Sequence, residues 1–429
     1  MPFNMIDYKL LNIATGRIFD DQGWTLTDPD YQNPSLIRTI YKNKKLENPA
    51  GRTDIYKYSC WLPVKRFLNG SAPTVTFKSS KLASVLKTDN LYISFSGYWP
   101  EAGAAMTTCS FKETEAYSVC GRLDKDNGKV MVVASAGNTA RAFAKVCSDN
   151  HIPLLIVVPQ ENLDALWFSS PVDDCVKLIC TPKGTDYYDA IDLSSKICSS
   201  GLFFEEGGAK NVARRDGMGT TVLSAVSEIG EIPHYYFQAI GSGTGTIAAW
   251  EANLRLIKDG RFGSRKMKLF PSQNIPFIPM YDAWKIGSRE LLPCDTEDAR
   301  IRALGIASKV LSNRKPPYSV PGGLFDALKD TDGDVEIVTN DECYAACELF
   351  EKTEGIDIHP AAGVALASLI NCLNSGKVQR DKILMLNITG GGEKRFKSEN
   401  EVFMLAPDLT IDNSLDKNVI SRVAENLFR

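Results

Sequence analysis

Histidine is scarce in this sequence: 429 residues contain three, His151, His234 and His359. None stands in an H-x-x-x-H spacing, so a histidine-built metal centre or charge relay has little to draw on, and no metal is expected. C-x-x-C pairs are missing too. Eleven cysteines, an odd number, are scattered along the chain, which reads as reduced cytoplasmic thiols and not as a disulfide framework or zinc knuckle. Cys343 and Cys347 stand four apart, a spacing read as helix packing. No apolar run reaches 18 residues, which excludes a membrane helix. The opening MPFNMIDYKLLNIATGRIF has no basic stretch followed by an apolar core, so no secretory leader is expected. There is no basic block, and 49 basic against 52 acidic residues give a net charge of −3. Nucleic acid is therefore not expected as a partner, whereas a small anion remains open. No repeat of fixed period occurs.

What the chain does have is core-forming material, 44% hydrophobic and 24% charged, the balance of a globular protein long enough for two domains. From about residue 129, short β-rich runs alternate with helical stretches. KVMVVAS (129–135), PLLIVVP (153–159) and CVKLICT (175–181) read as strands, with helices over GNTARAFAKVCSDN and DYYDAIDLSSKIC. HYYFQAI (234–240), KLFPSQ (268–273) and KILMLNITGGG (382–392) read as further strands ending in loops, and IAAWEANLRLIKDG as a helix. This succession predicts an α/β fold with open parallel sheets and crossover helices. The first 90 residues are less regular.

Three strand-end loops are rich in Gly, Ser, Thr and Asn, and in open α/β sheets ligands bind at the carboxyl ends of strands. GSGTGT, Gly241 to Thr246, has the makings of an anion cradle, because glycines let the backbone approach a ligand and the following helix points free N–H groups at it. It completes neither G-x-G-x-x-G nor the P-loop pattern. SAGNTA, Ser135 to Ala140, offers hydroxyls, an amide and backbone donors that could grip a carboxylate or simply cap a helix. Thr389 ends a strand before three glycines. Upstream, Lys112 follows Ser110 and Phe111 where a Gly/Ala/Thr segment turns helical. Taken together these parts ask for a ligand with a phosphate tail, a ring with polar edges and a group that a lysine can attack, and pyridoxal 5′-phosphate has all three.

The order Ser110-Phe111-Lys112, SAGNT 23 residues after that lysine, GSGTG and NITGGG resembles the fold-type-II pyridoxal-phosphate enzymes, in the threonine synthase branch. Within it, LYISFSGYWPE, TCSFKE, VVASAGNTARAF, EEGGAKNVARRDGMGT, LSNRKPPYSVPGG and LNITGGG are similar to the cysteate synthase family, over about residues 90 to 395. The opening TGRIFDDQGWTLTDPDYQNPSLIRTIY resembles that family's start but lacks its cysteines.

The resemblance implies two open parallel-sheet α/β domains with the cofactor between them. The expected division is 1–111 as the N-terminal part of the large domain, 112–200 as the small one and 201–429 as the remainder of the large one. It implies that Lys112 carries the cofactor covalently and that Asn138 bonds its phenolic oxygen. Gly241, Ser242, Gly243, Thr244 and Gly245 would hold the phosphate, and Thr389 would sit beside the ring nitrogen. Ser135 and Thr139 would bind the substrate carboxylate. Arg214, with Lys210, would meet a substrate phosphate or sulfonate; Arg215 has equal claim to a solvated face. Glu113 reads as a helix-start acid, and Tyr98 and Trp99 as possible substrate-wall residues. The implied reaction is β-replacement, O-phospho-L-serine plus sulfite giving L-cysteate and phosphate on the route to coenzyme M, in a cytoplasmic homo-oligomer expected to be a dimer. Three alternatives remain at this stage: threonine synthase acting on O-phospho-L-homoserine, a relative using another nucleophile, and a non-catalytic protein that keeps the cofactor.

Overall fold

The computed structural model describes residues 7–48, 51–125, 128–135 and 137–429. Two open sheets form its frame. The larger has six strands in the order Glu336–Val338, Lys268–Asn274, Tyr235–Ala239, Leu384–Ile388, Leu91–Phe95 and Val75–Lys78. All neighbours run parallel except the last pair, which is antiparallel. The smaller has five parallel strands, Phe203–Glu205, Val130–Ala134, Leu154–Pro159, Val176–Thr181 and Leu409–Thr410. Strands covered by helices on both faces bury every side chain, which is why LLIVVP is a continuous apolar run and why LMLNI is broken only by Asn387, whose amide donates to Tyr236 and Gln238. The N-terminal strand Ile37–Tyr41 instead alternates buried and half-buried positions. It belongs to a small antiparallel sheet with Tyr8–Asn12 and Ile18–Phe19.

On one face of the six-stranded sheet, Leu366 and Leu369 of helix Pro360–Asn374 pack with Phe237 and Leu386. On the other, Val222 and Val226 of helix Val212–Ile229 and Ile247 of helix Thr244–Asp259 pack with Tyr236, Leu269 and Met385. The five-stranded sheet has Tyr117 of helix Lys112–Arg122 and Phe143 of helix Asn138–Asp149 on one side. Helices Tyr187–Ile197 and Lys417–Glu425 cover its other side through Leu193, Ile197 and Ile420.

Helix Lys112–Arg122 crosses helix Val212–Ile229 so closely that a Cβ on Gly217 would stand 2.3 Å from the Thr114 carbonyl oxygen. Glycine there permits the crossing, and the crossing brings Arg214 toward the first turn of the lysine's helix. The helix after GSGTG starts at Thr244, earlier than the apolar pattern from Ile247 predicts, because Gly243 takes up φ +78° and serves as its cap. In the irregular N-terminal part, Val75–Lys78 supplies an edge of the larger sheet. Among the described residues no helix is long and apolar enough to cross a membrane.

Candidate active site

Four strand and helix ends converge. Gly241 follows strand Tyr235–Ala239, Thr389 follows Leu384–Ile388, Asn138 begins the helix after Val130–Ala134, and Lys112 begins its own helix. Lys112, Asn138, Gly241 to Gly245 and Thr389 line one narrow cavity of about 90 Å³, roofed by Val310 and Leu311. Ala136, in the same turn as Asn138, lies outside the described residues. Size alone would point elsewhere: a hollow of about 590 Å³ beside Phe277, Pro279 and Arg302 contains none of the expected site residues.

The Lys112 amine sits 3.2 Å from Glu115 Oε2 and 4.8 Å from the centre of the Phe111 ring. Burial pushes it below the usual lysine range; Glu115 opposes the fall and the Arg214 guanidinium adds to it. Glu115 is fully buried and works in three directions, because its Oε1 also accepts from the Thr139 hydroxyl at 3.2 Å and pairs with Arg214 Nη1 at 3.1 Å. Arg214 Nε donates to Glu206 Oε1 at 3.0 Å, and Nη2 donates to Glu206 Oε2. Burial acts against the charge on Arg214, but the Glu115 and Glu206 carboxylates outweigh it and raise the guanidinium above its ordinary value.

The glycine loop fits a phosphate by its donor chemistry. Helix Thr244–Asp259 has a glycine at its N-cap, so no cap side chain stands there; the Thr244 N–H donates to Ser242 Oγ at 3.3 Å, and the Ser242 and Thr244 hydroxyls lie 2.9 Å apart. A Cβ on Gly245 would come within 2.3 Å of Gln238 Nε2, whose amide oxygen is fixed by donors from Tyr236 and Asn387. The first turn of the helix can lie against Gln238 only while residue 245 is glycine. With an amine, an amide, hydroxyls and an anion-accepting turn around one space, these residues suit pyridoxal 5′-phosphate.

Other expected residues lie outside the cavity lining. Ser135 Oγ accepts from the N–H groups of Gly137 and Ala140, each at 3.0 Å. Thr139 and Arg214 reach Lys112 only through Glu115. Lys210 is exposed, on the short turn before helix Val212–Ile229. Arg215 is neither solvated nor in the cavity: it is fully buried, with Nε 3.0 Å from Glu251 Oε2. Tyr98 donates to Glu399 at 3.0 Å and Trp99 packs edge-on against Phe77 and Phe95, so neither lines the cavity. Glu113 does stand in the first helical turn, buried, accepting from the Thr108 N–H at 2.6 Å. Sequence reading missed Glu115 and the cavity residue His359, and no local motif marks either.

The family described as "Pyridoxal-phosphate dependent enzyme" matches residues 104–390. The chain is 48% identical to the cysteate synthase of Methanosarcina acetivorans over 380 residues, covering 88% of this chain and 91% of that one. It is 47% identical to the cysteate synthase of Methanosarcina mazei, covering 95% and 97%. Among solved structures, maize serine racemase superposes with a TM-score of 0.55 at 14% identity, over 76% of this chain and 91% of that one. The serine racemase of Dictyostelium discoideum gives 0.51 at 17%, over 74% and 92%. These two likenesses speak for the fold.

Proposed function

The chain belongs to the cysteate synthases, within the pyridoxal-phosphate dependent enzyme family, and from that premise we propose that it replaces the phosphate of O-phospho-L-serine with sulfite, releasing phosphate and forming L-cysteate. The observation that carries this reading is the single cavity shared by Lys112, Asn138, the Gly241–Gly245 loop and Thr389. In it Lys112 would hold the cofactor, the loop its phosphate and Asn138 its phenolic oxygen, with Thr389 available to the ring nitrogen. Pyridoxal 5′-phosphate, when bound, supplies the sink for the electron pair left at the substrate Cα.

The chain's own residues do the rest. With its amine lowered by burial, Lys112 is better suited than an exposed lysine to take up the Cα proton, and Glu115, 3.2 Å away, holds the resulting ammonium. Arg214 donates Nε and one Nη2 N–H to Glu206 and sets Nη1 in an ion pair with Glu115. The N–H groups of the terminal nitrogens that these contacts do not use suit the substrate phosphate. Ser135 and Thr139, at the start of helix Asn138–Asp149, provide hydroxyls for the substrate carboxylate, and exposed Lys210 adds positive charge for incoming anions. Val310 and Leu311 close the cavity against water that would compete with sulfite.

The same reading divides the chain into 1–111 with 201–429 as the larger domain and 112–200 as the smaller. Three strands of the five-stranded sheet, Val130–Ala134, Leu154–Pro159 and Val176–Thr181, fall within 112–200, whereas Phe203–Glu205, Leu409–Thr410 and helix Lys417–Glu425 add to the same sheet from beyond that boundary. A cytoplasmic setting belongs to it as well, supported by eleven free cysteines. Purified protein incubated with O-phospho-L-serine or O-phospho-L-homoserine, with and without sulfite, tests the activity. Cysteate formed only from phosphoserine plus sulfite is the expected product; threonine from phosphohomoserine would overturn the reading.

A further inference from the structure

His359 lines the Lys112 cavity, and the reaction as described gives it no task. Its side chain is 15% exposed, with Nε2 2.9 Å from Glu393 Oε2. Its backbone is tied to the glycine turn beyond Thr389: the His359 N–H donates to the Gly390 carbonyl at 3.0 Å, and Ile358 bridges to Gly391. A Cβ on Gly390 would stand 2.3 Å from His359 Nδ1. The imidazole thus fills the room a side chain at 390 would need, directly beside Thr389.

Glu393 is anchored in its turn. Lys397 Nζ donates to it at 2.7 Å, and Arg141 Nη2 stands 3.9 Å away. That same Nη2 donates to Asn138 Oδ1 at 3.0 Å and to the Thr108 carbonyl at 2.9 Å, with the guanidinium over the Trp167 ring. One carboxylate therefore links two walls of the cavity, His359 directly and Asn138 through Arg141. The carboxylate stands within ion-pairing distance of a buried Nε2 that makes no well-aligned hydrogen bond, and Nδ1 lies against Gly390, so the ring is held by charge and by packing and has a buried polar edge to offer a ligand.

We propose that His359 is a cofactor-contacting residue whose imidazole meets the edge of the heteroaromatic ring, and that Glu393 is its positioning residue. The inference rests on the reading of this cavity as the pyridoxal-phosphate site.

The scarcity of histidine makes a direct test practical. Apoprotein labelled with [13C]histidine gives one Cε1–H signal for each of the three histidines, assigned through His151→Gln, His234→Gln and His359→Gln. The probe is 4′-deoxypyridoxine 5′-phosphate, which keeps the ring and phosphate but has no aldehyde for Lys112. On titration the His359 signal is expected to move while the other two stay. Glu393→Gln is expected to shift the His359 signal before any probe is added and to weaken probe binding about tenfold, the equivalent of one charge-assisted hydrogen bond. Lys397→Gln removes only a partly exposed ion pair and is expected to leave the affinity within about twofold. If tryptophan fluorescence reports binding while the wild-type His359 signal stays still, the inference falls and the cofactor reading stands. If wild-type protein does not bind the probe at all, both fall.

Discussion

The amine of Lys112 and the carboxylate of Glu115 lie 3.2 Å apart in a buried pair, one helical turn from each other. The carboxylate raises the amine's pKa, whereas burial and Arg214 lower it. Replacing Glu115 with Gln removes the stronger of the two opposing carboxylates and leaves only Glu206 against both lowering influences. The pH midpoint for attachment of pyridoxal phosphate to apoprotein is expected to move down, and attachment near neutral pH to speed up. A stopped-flow pH series measures this, and an unmoved midpoint would detach Glu115 from the lysine's chemistry. Because Arg214 loses a partner, stability is expected to fall by about 1.5–3 kcal/mol.

Arg214→Lys keeps the charge but loses the fork that pairs with Glu206 and Glu115 and that is proposed for the substrate phosphate. The expected result is a fall in kcat/KM for phosphoserine of roughly one to three factors of ten with the cofactor retained. Kinetics varied separately in phosphoserine and sulfite check it. Near-wild-type values for both would reduce Arg214 to a strut between two glutamates.

Gly243 and Gly260 cap the two ends of one helix, each at φ +78°. Alanine at either is expected to destabilise the fold by about 1–2 kcal/mol, the strain of a left-handed residue with a Cβ. Only Gly243→Ala, in the cavity wall, is expected also to weaken cofactor binding. Chemical denaturation together with the cofactor dissociation constant separates the shared effect from the local one; equal cofactor affinities in the two variants would take the loop away from the phosphate.

Glu393 titrates at about 2 in the folded chain against an ordinary 4.5, because His359, Arg141 and Lys397 outweigh the burial that would raise it. A depressed carboxyl stabilises the fold above its unfolded value and loses that contribution as pH falls through the folded one. Urea midpoints measured between pH 6 and pH 2 are expected to show a shallower acid decline in Glu393→Gln. The ceiling on the difference is on the order of 3 kcal/mol. Parallel acid limbs in the two proteins would mean that His359 and Arg141 do not hold this carboxylate.

The cavity residues that could be picked out from sequence are those whose purpose is written into adjacent residues. Lys112 follows Ser-Phe at a helix start, and the Gly241–Gly245 turn and Thr389 each follow an apolar strand, so backbone geometry and function share one short stretch. Glu115 carries no such mark, since an acid in a first helical turn is ordinary; its meaning comes from Arg214, which reaches it only because Gly217 lets two helices cross closely. His359 and Glu393 are separated by a whole helix in the chain and meet through the bridge to Gly391. Arg215 could not be told from a surface cation until its partner Glu251 was seen to be buried with it. Strand positions were legible because burial on both faces favours short, mainly apolar runs, with the few polar residues such as Gln238 and Asn387 hydrogen-bonded to each other inside the sheet. The start of helix Thr244–Asp259 was not, because a left-handed glycine sets it and not the apolar pattern.

Strand Leu384–Ile388 lies between Leu91–Phe95 and Tyr235–Ala239. On a ribosome, Leu91 therefore waits for a neighbour 293 residues further along the chain, at Leu384. At about 5–20 residues per second that delay is roughly 15–60 s. Over the first part of that interval Leu91–Phe95 has only Val75–Lys78 beside it; once Tyr235–Ala239 and Lys268–Asn274 have been made there are two separate fragments, each with an open edge, and they become one only when synthesis is nearly finished.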